Sequence, residues 1–399
     1  MTSDVNNKDT HWVLPQGIEE ALPEQAERLE LLRRELLDVY SSWGYELVMP
    51  PFIDHIESLI TGAGHDLDLQ TFKLVDQVSG RTLGVRADMT PQVARIDAAQ
   101  LNRDTATRLC YIGTVLRTRP DCFGGSRSPL QVGAELYGHA GVESEVEIIG
   151  LMLKTFSTVG VEDVFIDLGN VDIFRNLAKQ AGLSSDDEST LFEMLQRKAV
   201  TEITQLLDRV KIDEKVKTML ASLAELNGGI EVLERAKKAL ADADEDVLSS
   251  LEYLKNTADL ISKRFSDVSV HYDLAELHGY HYKTGVVFAA FVPESGQAIA
   301  RGGRYDDIGQ LFGRARAATG FSTDLKNLNN LSTRQFEKIA SVFAPGDDGL
   351  ALQEKIEELR NDGVRVIQQL SGQTDDAKTM GCKQKLELQS GSWTLVDVI

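Results

Sequence analysis

Residues 115–138 read VLRTRPDCFGGSRSPLQVGAELYG, and the architecture is read from their alternation. With the preceding RLCYIG they form two period-two runs, RLCYIGTVLRTRP (108–120) and PLQVGAELYG (129–138), around the loop DCFGGSRS. Successive side chains of a strand point to opposite faces, so the pattern predicts an antiparallel hairpin. One face of the second run carries Val132, Ala134 and Leu136, the other Gln131, Gly133, Glu135 and Tyr137. On the first run Arg117 and Arg119 share a face. A row holding Arg, Gln and Glu is able to receive both ends of a free amino acid, guanidinium to carboxylate and carboxylate to ammonium. The plainer reading is a sheet with one solvated face. These residues alone leave both open.

Upstream, LPEQAERLELLRRELLDVY places Leu29, Leu32, Leu36 and Val39 at helical spacing, with Pro23 near the start where its missing N–H costs little. Gly44 stops this helix, and YELVMPP follows as a short strand ended by Pro50 and Pro51. Downstream come a helix over ESEVEIIGLMLKTFSTVG and the strand VFIDLG. From about 170 to 265 the pattern is helical, with acidic starts at Asp186 and Asp187, at Asp213 and at Asp244. Further strands are VSVHYDLAEL, GVVFAAFV and QAIAR, the last two joined by PESG. Beyond Ala344-Pro345-Gly346, one helix (LQEKIEELR) and two strands (GVRVIQQL, SWTLVDVI) suggest a small α/β appendage.

The expected organisation is therefore a flexible tail at 1–11 and a core over 12–170 that resumes at 266–330. A helical insertion fills 171–265, and a small C-terminal α/β domain occupies 331–399.

The chain's 42 Lys and Arg stand against 62 Asp and Glu, a net charge of −20. Such a chain repels a phosphate backbone, so nucleic acid is not an expected partner. No apolar run approaches the ~20 residues that span a bilayer, and the polar, acidic start does not read as a signal peptide. Cys110, Cys122 and Cys382 are far apart and fit neither a zinc site nor a disulfide framework, which points to a reducing cytoplasm. His278 and His281 in HGYHYKTG fall on opposite faces of a strand, so no metal is expected. No nucleophile motif or P-loop is present, and no cofactor is implied. Phosphate binding would rest on Arg117, Arg119 and Arg127.

One more stretch is built like a site. In ARGGRYDDIG, Gly302 and Gly303 permit close backbone approach and Tyr305 offers a ring and a hydroxyl. A tight turn with a capping Asp explains the same residues. The turn TGF that follows could open a helix onto an anion, but it leads into STDLKNL, with Asp324 where a phosphate is disfavoured.

In this order the segments resemble the catalytic core of class II aminoacyl-tRNA synthetases, specifically histidyl-tRNA synthetase, over residues about 12 to 330. The helix, strand and Pro-Pro unit is similar to the family's first motif, a dimer-interface element. The hairpin VLRTRPDCFGGSRSPLQVGAELYG resembles the second. HGYHYKTGVVF and ARGGRYDDIG resemble the two histidine-specific segments, and TGFSTDLKNL stands where the third motif belongs. The resemblance implies an α+β fold, an antiparallel sheet flanked by helices, with a helical insertion and the C-terminal appendage. It also maps histidine-contacting positions onto Asp88, Arg117, Gln131, Glu135, Tyr282 and Tyr305. In that mapping Arg117 meets the carboxylate, Glu135 and Gln131 the ammonium, and Asp88, Tyr282 and Tyr305 enclose the rest.

The departures matter as much. Arg119 stands where the second motif has a Glu that fixes ATP. Asp324-Leu325-Lys326-Asn327 replaces Gly-Leu-Glu-Arg, whose Arg grips the γ-phosphate. His278 replaces the Arg of an RGLDYY segment, Lys283 a Tyr, and Asp88 a Glu. Losing such clamps costs phosphoryl-type chemistry several powers of ten. Residues 345–399 hold six Lys or Arg against ten Asp or Glu, an acidic and short replacement for an anticodon-binding domain.

A synthetase-like core so altered resembles the regulatory subunits of ATP phosphoribosyltransferase. The resemblance implies a non-catalytic chain that activates a short catalytic subunit in the first step of histidine biosynthesis and mediates feedback by histidine. It also implies a homodimer or higher within a hetero-oligomer. An active histidyl-tRNA synthetase and a stand-alone histidine sensor are the alternatives.

Overall fold

The computed structural model describes residues 13–60, 64–120, 125–280, 282–293, 295–336 and 340–398. The expected tail, Cys122 and His281 lie outside the described residues. The chain divides into two compact units, Met1–Arg334 and Gln335–Ile399.

The first unit's described strands are β1 (Glu46–Leu47), β2 (Ile53–His55), β3 (Phe72–Val75), β4 (Thr82–Val85), β5 (Thr107–Thr114) and β6 (Leu130–Tyr137). They continue with β7 (Phe165–Asn170), β8 (Asn227–Gly228), β9 (Ser269–Asp273), β10 (Val286–Phe291), β11 (Ala300–Arg304) and β12 (Ala318–Asp324). Nine form one sheet in the order β1-β5-β6-β12-β11-β10-β7-β9-β8. Its six central strands, β5 through β7, pair antiparallel throughout. β2, β4 and β3 make a small separate sheet.

The hairpin predicted over 108–138 is present, but regular pairing ends at Thr114. Arg117 and Arg119 therefore lie beyond the strand and do not share a strand face. Pro129 has no N–H to return to the ladder. The Val115 and Arg117 amides still reach the Pro129 and Arg127 carbonyls, at 3.1 and 2.9 Å, as an irregular extended segment. The solvated-face reading also fails. Gln131, Glu135 and Tyr137 are all at least 97% buried.

One face of the sheet is closed by the helix Glu143–Val159, which lies across β6, β11 and β12. The helix Pro23–Ser42 packs on it through Leu29, Leu32, Leu36 and Tyr40. Tyr40 replaces the expected Val39 in this stripe, and its hydroxyl shares a 2.9 Å hydrogen bond with Thr155. The region after β7 is helical as expected, apart from β8, which joins the sheet edge beside β9. Asp213 caps its helix by accepting from the Lys215 amide at 2.8 Å. At Ser185–Gln196 the cap is Ser184, with Asp186 and Asp187 in the first turn.

The second unit holds β13 (Ser341–Ala344), β14 (Arg365–Gln368), β15 (Gln384–Gln389) and β16 (Ser392–Asp397) in the order β14-β13-β15-β16. The helix Leu350–Asn361 buries Leu352, Ile356 and Leu359 against Val342, Val366 and Leu386 of this sheet. It is an α/β unit with mixed strand directions.

Candidate functional site

The sheet face opposite the Glu143–Val159 helix floors a cavity of about 940 Å³. Its floor is β6, β12 and β11; its walls come from residues 88, 90 and 91, from 278–280, 282 and 283, and from Tyr305. Asp88, Arg117, Gln131, Glu135, Tyr282 and Tyr305 all line it. The structure thus gathers the six residues selected in the sequence around one space.

At the bottom stands Glu135. Tyr111 donates to its Oε1 at 2.9 Å and Thr90 to the same oxygen at 3.2 Å, while Tyr305 donates to Oε2. Burial pushes the Glu135 carboxyl up to about 8; the Tyr305, Tyr111 and Thr90 hydroxyls oppose the rise, and Asp88 adds to it. Gly320 pairs directly with Glu135, and a Cβ there would stand 1.5 Å from Glu135 Oε2. Only glycine leaves room for the carboxylate.

Nearer the mouth is a second polar group. Asp88 Oδ1 accepts from Gln131 Nε2 and from the Thr90 amide, both at 2.9 Å, and Gln131 Oε1 accepts from the Met89 amide at 3.0 Å. Arg117 holds the Ala87 carbonyl through Nε at 3.2 Å. One carboxylate, one amide and one guanidinium converge here with their backbone fixed.

RGGRYDD turns out to be both a site and a turn. Arg301, Gly302, Gly303 and Tyr305 line the cavity. Gly303 has φ +146°, a conformation side chains disfavour. Arg304 instead pairs with buried Glu145 on the other side of the sheet, and Asp306 Oδ1 accepts from the Ala318 amide at 2.8 Å. At the end of β12, Asp324 Oδ1 accepts from the Lys326 and Leu130 amides, each at 3.0 Å. The position an anion would need at the start of Leu325–Leu331 is filled by the chain's own carboxylate.

Of the three arginines considered for phosphate, Arg117 and Arg119 line the cavity. Arg127 spends its guanidinium on the Arg117 and Gln16 carbonyls and on the face of Phe72, at 5.3 Å from its ring centre. Among the described residues no three His, Cys, Asp or Glu side chains could hold a metal. Sequence reasoning missed Thr90 and Tyr111, and noted Lys283 only as the replacement of a Tyr. Lys283 lines the cavity, is almost fully buried and donates from Nζ to the Gly302 carbonyl. Burial pushes its ammonium down to about 7, with Glu276 opposing and Arg301 reinforcing the fall.

Residues 17–328 match the histidyl-tRNA synthetase family model, and residues 339–396 match the ATP phosphoribosyltransferase subunit HisZ C-terminal domain. The chain is 58% identical to the ATP phosphoribosyltransferase regulatory subunit of Thioalkalivibrio sulfidiphilus, over 97% of this chain and 98% of that one. It belongs to the ATP phosphoribosyltransferase regulatory subunit family. The regulatory subunit of Pseudomonas aeruginosa is 51% identical over 96% of this chain and 97% of its own. Among solved structures, an ATP phosphoribosyltransferase regulatory subunit/histidyl-tRNA synthetase from Bacillus halodurans superposes with a TM-score of 0.83 at 25% identity, covering 94% of this chain and 97% of that one. Histidyl-tRNA synthetase from Nostoc shares the fold at a TM-score of 0.76 and 18% identity, over 97% of each chain. This regulatory-subunit family therefore has the class II synthetase α+β architecture, as the motif order implies.

Proposed function

We propose that this chain is the regulatory subunit of an ATP phosphoribosyltransferase, joining a short catalytic subunit in the first step of histidine biosynthesis and making it sensitive to histidine. The observation that carries this reading is the pairing, in one chain, of a histidyl-tRNA synthetase-like core with the C-terminal domain characteristic of the regulatory family. It is non-catalytic. Arg119 at the mouth and Asp324 capping its own helix stand where a synthetase would clamp ATP, so adenylation has lost its supports.

Histidine is the ligand the cavity suits. A buried zwitterion needs both charges met, because an unpaired buried polar group costs ~1–3 kcal/mol. Asp88 with Gln131 meets the ammonium and Arg117 the carboxylate. Glu135, deep among tyrosine hydroxyls, then belongs to the ring end of the ligand and not to the ammonium. Tyr282 and Tyr305 close the sides.

Calorimetric titration of histidine tests this. Wild type binds, Glu135→Ala loses most of the affinity, and Arg119→Ala at the mouth loses little. Unchanged binding in Glu135→Ala sends the effector elsewhere. Leu47, Met49, Phe52 and Ile53 expose apolar surface beside edge strand β1, which supports a homodimer within the complex.

A further inference from the structure

On the helix side of the sheet, turned away from the cavity, the chain builds a second hollow of about 530 Å³. It is lined by Trp43, Arg108, Val146, Glu147, Arg264 and Phe265. Arg108 stands on β5 opposite Leu136, and Leu136 points to the face that Glu135, its neighbour, does not. Trp43 follows the helix Pro23–Ser42, and Phe265 follows the helix Glu245–Arg264. Both rings rest on Gly150, inside Glu143–Val159. A Cβ there would stand 2.7 Å from Phe265 Cζ and 3.3 Å from Trp43 Cη2. Glycine inside a helix costs ~1 kcal/mol against alanine, and here its bare backbone is what lets the two rings approach.

The polar half is equally defined. Glu147 accepts from Arg108 Nε at 2.6 Å, from Arg108 Nη2 at 2.8 Å and from the Tyr45 hydroxyl at 3.0 Å. That carboxylate is fully engaged, and it fixes the plane of the Arg108 guanidinium. Arg264 is exposed in the last turn of its helix, a place that suits the helix dipole and leaves its hydrogens free. Among the described residues its guanidinium has neither a hydrogen bond nor an ion pair. Two guanidiniums therefore face one carboxylate, a local charge of +1 in a chain of −20.

We propose that this hollow is a second ligand site, for a small aromatic carboxylate, with the ring against Trp43 and Phe265 and the carboxylate on Arg264. A planar carboxylate matches the fork of a guanidinium, and a flat ring meets the two aromatic side chains edge-on or offset. One negative charge balances the site. A phosphate monoester brings close to two, beside Glu147. The volume falls within the ~300–1,000 Å³ of small-molecule sites, whereas a protein partner needs roughly 20–30 residues a side. The site owes nothing to the cavity on the other face, and its ligand binds whether or not histidine is bound.

The test is calorimetric titration of 3-phenylpropionate into the full-length protein, beside 3-phenylpropan-1-ol, which lacks the charge, and propionate, which lacks the ring. Phenylpropionate binds once per chain, and each of the other two binds at least about tenfold more weakly. Arg264→Gln weakens phenylpropionate roughly tenfold and leaves the alcohol unchanged, and Trp43→Leu weakens both. Arg264 is exposed, so an unchanged unfolding temperature separates its effect from a loss of fold. Saturating histidine leaves the titration unchanged. Displacement by histidine puts the acid in the cavity and overturns the proposal. So does an absence of binding, or binding that both substitutions leave as in wild type.

Discussion

Glu135 is held in a state the unfolded chain does not share. Its folded carboxyl is pushed up to about 8, against an ordinary value of 4.5. Between these values the folded protein keeps a proton that the unfolded chain has released, so this group's contribution is full at low pH and is lost as the pH rises. Lys283, pushed down to about 7, acts in the opposite direction only above that value. Glu135→Gln cannot ionise and is freed of the first effect. Relative to wild type it gains roughly 2–3 kcal/mol between about pH 5 and about pH 7. Thermal unfolding at the two pH values reads this; an equal offset at both contradicts it. At this scale the alternation in PLQVGAELYG was enough to put Gln131 and Glu135 on one face, and the motif match added Tyr282, Tyr305, Asp88 and Arg117. Lys283 was legible only as the replacement of a Tyr, because the sequence does not show that its side chain is buried. Only the fold shows it reaching over Gly303.

Of the floor strands only β6 was fully legible from its period: β11 overlaps the stretch QAIAR by two residues, and β12 runs through TGF, which read as a turn opening a helix. The two-residue strands β1 and β8 are too short to show a period, though Pro50 and Pro51 marked the end of the first. The glycines of the floor have a geometric cause that no pattern reveals. A Cβ at Gly320 meets Glu135 Oε2 at 1.5 Å and the Ala134 carbonyl at 2.8 Å, neither able to move cheaply. Gly320→Ala accordingly destabilises the protein by more than ~2 kcal/mol and abolishes histidine binding. A variant with wild-type unfolding temperature and titration heat sinks this account of the floor. Asp324 makes a milder case. Asp324→Ala loses a helix cap and the tie to Leu130, a cost of about 1–2 kcal/mol in chemical denaturation. On the proposed reading it is expected to gain no ATP binding, since Asn327 stands where the synthetase resemblance expects the arginine for the γ-phosphate.

On the scale of the whole molecule, the order of motifs carried the fold, and the acidic, short C-terminal unit separated a regulatory chain from a synthetase. The extent of helix between β7 and β9 was legible from acidic starts and apolar spacing, but the pairing of β8 with β9 was not. Such long-range contacts leave no local trace. A net charge of −20 predicts that tRNA binds weakly and only at low salt, and submicromolar, tRNA-selective binding at physiological salt contradicts the regulatory reading. Pyrophosphate exchange with histidine and ATP is expected to be absent. Histidine acts on the complex only if it binds the inhibited state better than the active one, by a coupling of typically ~1–3 kcal/mol. The most direct measurement is ATP phosphoribosyltransferase activity of a short catalytic subunit, with and without this chain, across a histidine titration. The chain is predicted to raise the activity and to make it inhibitable by histidine, with Glu135→Ala keeping the activation and losing the inhibition. A catalytic subunit that neither binds this chain nor changes its rate contradicts the account.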